Sequence, residues 1–204
     1  MKLRINPENP ESSKIKTVVE CLKDGGVIIY PTDTIYGIGC DIYNARAIEK
    51  IGKIKNIDPS KTNLSFICSS LGNISEYVLP YSRNIFKVMN RNLPGPFTFI
   101  LKASTAVPKL FKNKKKTVGI RVPDHNIPTS IVEVLEHPLL TTSLNVIDDP
   151  TEYLVDPEEI YEAYKDQVDI VIDGGFGNFT GSTVVDCSDD TLEILRQGAG
   201  ELLK

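Results

Sequence analysis

The chain has 204 residues, 41% hydrophobic and 25% charged, with a formal net charge of −4. This is ordinary globular usage and excludes disordered and fibrous classes. No apolar run approaches the ~20 residues of a membrane helix, and the start MKLRINPENP lacks the apolar segment of a signal peptide, so one folded domain over residues 1–204, kept in the cytoplasm, is expected. The acidic balance argues against non-specific adhesion to nucleic acid by the whole surface, but leaves room for a local basic patch.

Taken in chain order, Ile15, Val18, Val19 and Leu22 follow helical spacing. Ser12 or Ser13 is placed to cap that helix, and Gly25-Gly26 stops it before the buried-strand run Val27-Ile28-Ile29-Tyr30. A second helix near Asn44 to Lys55 is set by Ala47, Ile48 and Ile51, and Leu64 to Cys68 reads as the next strand. Further strands are predicted at Phe97 to Lys102, Thr117 to Val122, Leu139 to Ser143, Ile170 to Asp173 and Thr183 to Cys187. Helices are predicted near Ser82 to Arg91, Pro128 to Glu136 and Pro157 to Tyr164. The alternation predicts an α/β protein with a twisted mixed sheet, parallel and antiparallel, and flanking helices. No internal repeat or linker interrupts it.

The common nucleotide signatures are missing: no G-x-G-x-x-G follows a strand and no P-loop occurs. Cys21, Cys40, Cys68 and Cys187 are too widely spaced for a zinc pattern and read as small buried residues. His125 and His137 have no paired ligand motif and read as surface or loop residues. Polar residues gather instead at strand ends. The turn Tyr30-Pro31-Thr32-Asp33-Thr34-Ile35-Tyr36-Gly37-Ile38-Gly39 follows a buried strand, where α/β proteins collect ligand groups, although its threonines also suit backbone bonding in a tight turn. Gly119-Ile120-Arg121-Val122-Pro123, Thr141-Thr142-Ser143-Leu144-Asn145 and Gly181-Ser182-Thr183-Val184-Val185-Asp186 repeat the placement. Taken singly, each has a plainer reading: Arg121 pairing with an acid, Ser143 and Asn145 capping a helix, Ser182 starting a strand.

In this order and at these spacings the four segments resemble the YrdC/YciO family, through to Leu195-Arg196-Gln197-Gly198-Ala199-Gly200. The resemblance implies a YrdC-like twisted α/β sheet with a basic concave face. It also implies an L-threonylcarbamoyladenylate synthase activity, joining L-threonine, bicarbonate and ATP with release of pyrophosphate, its product being carried by other proteins onto tRNA. By the same resemblance Thr34, Arg121 and Ser182 are substrate contacts and Lys55 matches the lysine of the family's K-x-R. Ser143 and Asn145 match its S-x-N, and Thr117, Asn145 and Arg196 are nucleotide contacts. Fixed positive charge and many donors are what such a reaction needs, since positioning and electrostatic stabilisation can carry it. A Mg2+ ion on the phosphates is expected, with no carboxylate pair marking its ligands.

Two departures point to the YciO branch. Ile57 stands where K-x-R has its arginine, so one ligand-facing charge is missing, and Ile67 falls where synthases have a strand-end histidine. Two other functions stay open: an RNA-binding protein of the same fold, and an enzyme that adenylates a different carboxylate or carbamate. The run Lys109-Leu110-Phe111-Lys112-Asn113-Lys114-Lys115-Lys116 suits an RNA-facing edge or a solvated loop. Oligomeric state is not legible in the sequence.

Overall fold

A computed structural model describes residues 1–59, 62, 64–108, 116–144 and 154–204. Helix α1, Ser12–Lys23, is held by Ile15, Val18, Val19 and Leu22 on one buried face. Gly25, at φ +87, turns the chain out of it, and the Gly26 N–H closes back on the Cys21 carbonyl at 2.8 Å. The expected serine cap is not formed. The cap residue is Glu11, so both serines lie inside the first turn, and the Glu11 carboxylate is held by Lys14 at 2.6 Å.

Strands β1 (Lys2–Arg4), β2 (Val27–Tyr30), β3 (Gly37–Asp41), β4 (Ser65–Ile67) and β5 (Phe97–Lys102) are followed by β6 (Thr117–Arg121), β7 (Leu139–Ser143), β8 (Ile170–Asp173), β9 (Thr183–Asp186) and β10 (Glu193–Arg196). They form one ten-stranded mixed sheet in the order β1-β8-β2-β3-β7-β4-β6-β5-β9-β10. Helices α2 (Ala45–Lys55), α3 (Arg83–Asn92), α4 (Asn126–Leu135) and α5 (Pro157–Tyr164) connect them, with a short 3-10 turn at Leu71–Asn73. Helix α4 begins two residues before the expected Pro128. His125 is its cap, accepting the Ile127 N–H on Nδ1 at 3.2 Å, and a proline is tolerated in a first turn whose N–H groups have no intrahelical partner.

Residues alternate between the two faces of the sheet. On one face Val27, Ile29, Ile38, Phe66, Phe99, Ile120 and Leu140 bury against α2, α3 and α5. On the other, Ile28, Tyr30, Ile67, Leu139, Ile170 and Ile172 bury against α1 and α4. The cluster under those two helices takes in no residue of β5, β6 or β9, so among the described residues that half of the face carries no helix and is lined largely by polar side chains. The four cysteines are free; Cys40, Cys68 and Cys187 are buried and Cys21 is half-buried. Burial pushes the thiols of Cys68 and Cys187 up to about 12, which keeps them unreactive. Among the described residues no helix is long and apolar enough to cross a membrane.

Candidate functional site

The uncovered half-face is hollow because of what the strand registers align. Gly39 pairs with Thr141, Thr141 with Ser65 and Ser65 with Gly119, a row of small and hydroxyl residues across four strands, and Gly119 pairs on to Ile100 of β5. A Cβ on Gly119 would sit 2.4 Å from Ser65 Oγ and 3.1 Å from Thr98 Cγ2. Glycine here keeps the floor open. Beside the row, the Tyr30 ring lies across β3, where a Cβ on Gly39 would approach it to 3.0 Å, and its hydroxyl donates to Thr141 Oγ1 at 2.6 Å. The resulting cavity has a volume of about 230 Å³, with Ser65, Thr98, Thr141 and Thr142 among its lining hydroxyls and Ile100, Val184 and Leu195 forming an apolar side.

Five of the residues expected at the site, Thr117, Arg121, Ser143, Ser182 and Arg196, line this cavity. Arg121 closes β6 on the same face as Thr117 and Gly119, with a side chain only 9% exposed. Its Nη2 donates to Asp33 Oδ1 at 3.1 Å and to Thr34 Oγ1 at 2.9 Å, which places Thr34 at the edge of the site. Arg121 Nε is buried and, among the described residues, is the one buried side-chain nitrogen or oxygen without a hydrogen-bond partner. Both plainer readings of these segments also hold: Arg121 does pair with an acid, and Thr32 bonds the turn's backbone, donating to the Ile35 carbonyl at 2.7 Å and accepting the Thr34 N–H at 3.1 Å.

At the far wall Ser182 Oγ lies 2.8 Å from Thr98 Oγ1. Arg196 crosses to it from the exposed edge strand β10, donating from Nη2 to the Ser182 carbonyl at 2.8 Å. The chain then folds back over β9: Gly198 donates to Thr183 Oγ1 at 2.9 Å, where a Cβ would lie 2.3 Å from the Gly181 carbonyl oxygen.

Lys55 does not line the cavity. It ends α2, which packs on the opposite face, and it is half-buried, which pushes its ammonium pKa down. Asn145 and Lys109 to Lys115 lie outside the described residues. Ile57, expected at a ligand-facing position from the arginine pattern, does not line the cavity either. Asn56 is left-handed (φ 51), the Ile57 N–H bonds the Gly52 carbonyl at 2.9 Å, and the Ile57 side chain packs on the core as the hydrophobic member of a helix-ending motif. Ile67 is fully buried, paired with Arg121 and Leu139 in the sheet register, and packs in the core under α1 and α4. Reading the sequence missed Ser65 and Thr98, and it quoted Asp33, Gly119 and Thr141 within the strand-end segments without singling them out. The period-two spacing of Thr117, Gly119 and Arg121 was the available signal for the floor.

Residues 20–198 match the family model Sua5_yciO_yrdC, described as "Telomere recombination". The chain is 40% identical over 201 residues to the uncharacterized protein YciO of Escherichia coli K12, covering 97% of this chain and 95% of that one. The crystal structure of E. coli YciO superposes with a TM-score of 0.92 at 38% identity, covering 98% of this chain and 97% of YciO. The threonylcarbamoyl-AMP synthase of Pyrococcus abyssi is 26% identical over 192 residues, 94% of this chain but 56% of the synthase. The fold of P. abyssi Sua5, crystallised with L-threonine, matches with a TM-score of 0.88 at 24% identity, covering 97% of this chain and 57% of Sua5. The chain belongs to the Sua5/YciO/YrdC family.

Proposed function

We propose that this member of the family is a nucleotidyl-transferring enzyme of the threonylcarbamoyl-AMP synthase type, joining ATP to a carbamate formed from L-threonine and bicarbonate. The observation that carries the reading is the Arg121 guanidinium, buried in the wall of a hydroxyl-lined cavity with its Nε–H unpaired. A buried donor left unpaired costs about 1–3 kcal/mol, which an arriving oxyanion recovers. The relatives support the same chemistry. The P. abyssi enzyme is named for this reaction, and its structure holds L-threonine.

In this reading the carboxylate of threonine takes the Arg121 Nε–H. The hydroxyls of Ser143, Ser182 and Thr117 bind the carbamate and phosphate oxygens, and Arg196 faces the nucleotide. A carbamate oxygen attacks the α-phosphorus, the bond to the bridging oxygen breaks, and pyrophosphate leaves. Fixed donors that need no rearrangement stabilise the charge that develops. Mg2+ is proposed to ride on the phosphates of ATP, because the described cavity lining contains no carboxylate and, among the described residues, no group of three or more His, Cys, Asp or Glu is placed to hold a metal.

A second reading, adenylation of a different carboxylate or carbamate, is favoured by Ile67 beside Arg121 and by the apolar side of the cavity. Pyrophosphate release measured with ATP, threonine and bicarbonate, omitting each in turn, separates the two. Release that needs all three and is lost in Arg121→Lys supports the synthase. Release that is indifferent to threonine, or that prefers another amino acid, supports the second reading.

A further inference from the structure

We infer that Asp33 is a positioning residue, which fixes the plane of the Arg121 guanidinium so that its Nε–H stays directed for an incoming oxyanion. The carboxylate is 8% exposed and tied at both oxygens: Oδ1 accepts from Arg121 Nη2 at 3.1 Å, and Oδ2 accepts the Asp124 backbone N–H at 3.2 Å. The Asp33 carbonyl accepts from Asn178 Nδ2 at 3.0 Å, and the Thr34 carbonyl accepts the Asn178 N–H at the same distance. Three connections therefore meet at this residue: the β2–β3 turn that carries it, the β6–α4 loop at Asp124, and the β8–β9 loop at Asn178.

A guanidinium is planar, with all its N–H directions in one plane. Nη2 has two acceptors, Asp33 Oδ1 and Thr34 Oγ1, and satisfying both sets that plane. The direction of Nε–H then follows. Both oxygens of Asp33 are engaged, one by Arg121 and one by the Asp124 backbone, so the carboxylate is itself fixed in place as it holds Arg121. Asp33 compensates the charge of the buried arginine, so what completes the array is a hydrogen-bond acceptor for Nε–H, which the carboxylate or carbamate of the proposed substrate supplies as an oxygen.

The identity of that ligand rests on the function proposed above, whereas the positioning does not, and two measurements keep them apart. In the ligand-free full chain with 15N-labelled arginine, the Nε–H cross-peak of Arg121 is assigned by its loss in Arg121→Lys. In Asp33→Asn it should move and broaden through faster exchange with water; in Asp33→Glu, which keeps the charge on a longer arm, it should move less. A cross-peak unchanged in position and exchange rate in Asp33→Asn overturns the inference. If Asp33→Asn does not fold, Asp33→Glu carries the test, and an unmoved Arg121 signal there overturns it equally. Calorimetric titration then reads the consequence. L-Threonine affinity should fall about tenfold or more in Asp33→Asn while ATP affinity holds, as expected for one charge-assisted bond misaligned. Parallel loss of both affinities, tracking a lower melting temperature, would mean a merely structural role. Wild-type protein that binds no L-threonine refutes the proposed substrate, and the cross-peak comparison still decides the role of Asp33.

Discussion

Arg121 does two things at once, and they pull a mutational test in different directions. Its side chain and that of Asp33 are both more than nine-tenths buried, so removing one partner leaves an uncompensated charge in the interior. Arg121→Ala is therefore expected to lose about 3–5 kcal/mol of stability in urea unfolding along with its ligand affinity. The ligand-facing lysine or arginine inferred from sequence alone would have cost almost nothing, because surface charges rarely hold a fold. The Arg121→Met/Asp33→Asn double variant should recover much of the loss; if it unfolds as readily as Arg121→Ala, the ion pair is not the source. Ile57 is the opposite case. Since it packs on the core behind a left-handed Asn56, Ile57→Arg should lower stability by about 1–3 kcal/mol, the value of the apolar contact, and add no pyrophosphate release. A stable, more active Ile57→Arg protein would show that the side chain reaches the ligand after all.

At the scale of elements, β6 carries the floor of the cavity and α4 follows it through the loop at Asp124, and each makes a separate prediction. In β6, Gly119→Ala places a methyl 2.4 Å from Ser65 Oγ, so it should fill the floor of the cavity and abolish ligand binding at modest cost in stability. Adding Ser65→Ala removes the nearest atom and should recover that stability before it restores binding. For α4, the cap is an imidazole that must be neutral to accept the Ile127 N–H. Burial pushes the His125 pKa below its ordinary 6.5, with Asp33, Glu8 and Asp124 opposing the shift. A folded state that resists protonation binds fewer protons than the unfolded chain, so stability is full above 6.5 and falls as the pH drops through it toward the lower native value. Melting temperature should decline as the pH falls below 6.5, and His125→Asn, which keeps a capping oxygen, should flatten that part of the curve. A parallel curve in the variant would place the titration elsewhere.

Elements dominated by a local apolar run were legible: Phe97–Lys102, Leu139–Ser143, Ile170–Asp173 and the helix Pro157–Tyr164 fall where the sequence predicts. Strand β3 was not, because Gly37 and Gly39 read as a turn and make sense only under the Tyr30 ring. The three-residue β1 and the fully exposed β10 have no apolar face to announce them.

Across the whole molecule the order of the strands is the part least accessible from sequence, since β8 enters between β1 and β2 and only the assembled registers bring Gly39, Thr141, Ser65 and Gly119 into line. Resemblance could name Ser182 and Arg196 as site residues. It could not supply Asp33, whose meaning depends on a contact 88 positions along the chain. The two halves of one sheet face differ: α1 and α4 seal one half into core, and the other half sets its hydroxyls around the cavity.

Tyr30 sits where those halves join, and it gives the protein an optical property. The sequence contains no tryptophan, so its near-ultraviolet absorption belongs to its eight tyrosines. Tyr30 is fully buried, burial pushes its phenol pKa up so that it stays protonated at ordinary pH, and its hydroxyl is bonded to Thr141, a residue of the cavity wall. A ligand oxygen that engages the Thr141 hydroxyl changes the hydrogen bond at the phenol and shifts its spectrum. Titration with L-threonine should therefore give a tyrosine difference spectrum that saturates with binding and disappears in Tyr30→Phe. A spectrum that survives the substitution would assign the signal to another tyrosine. The cavity is thus expected to report its own occupancy through a chromophore set at its edge.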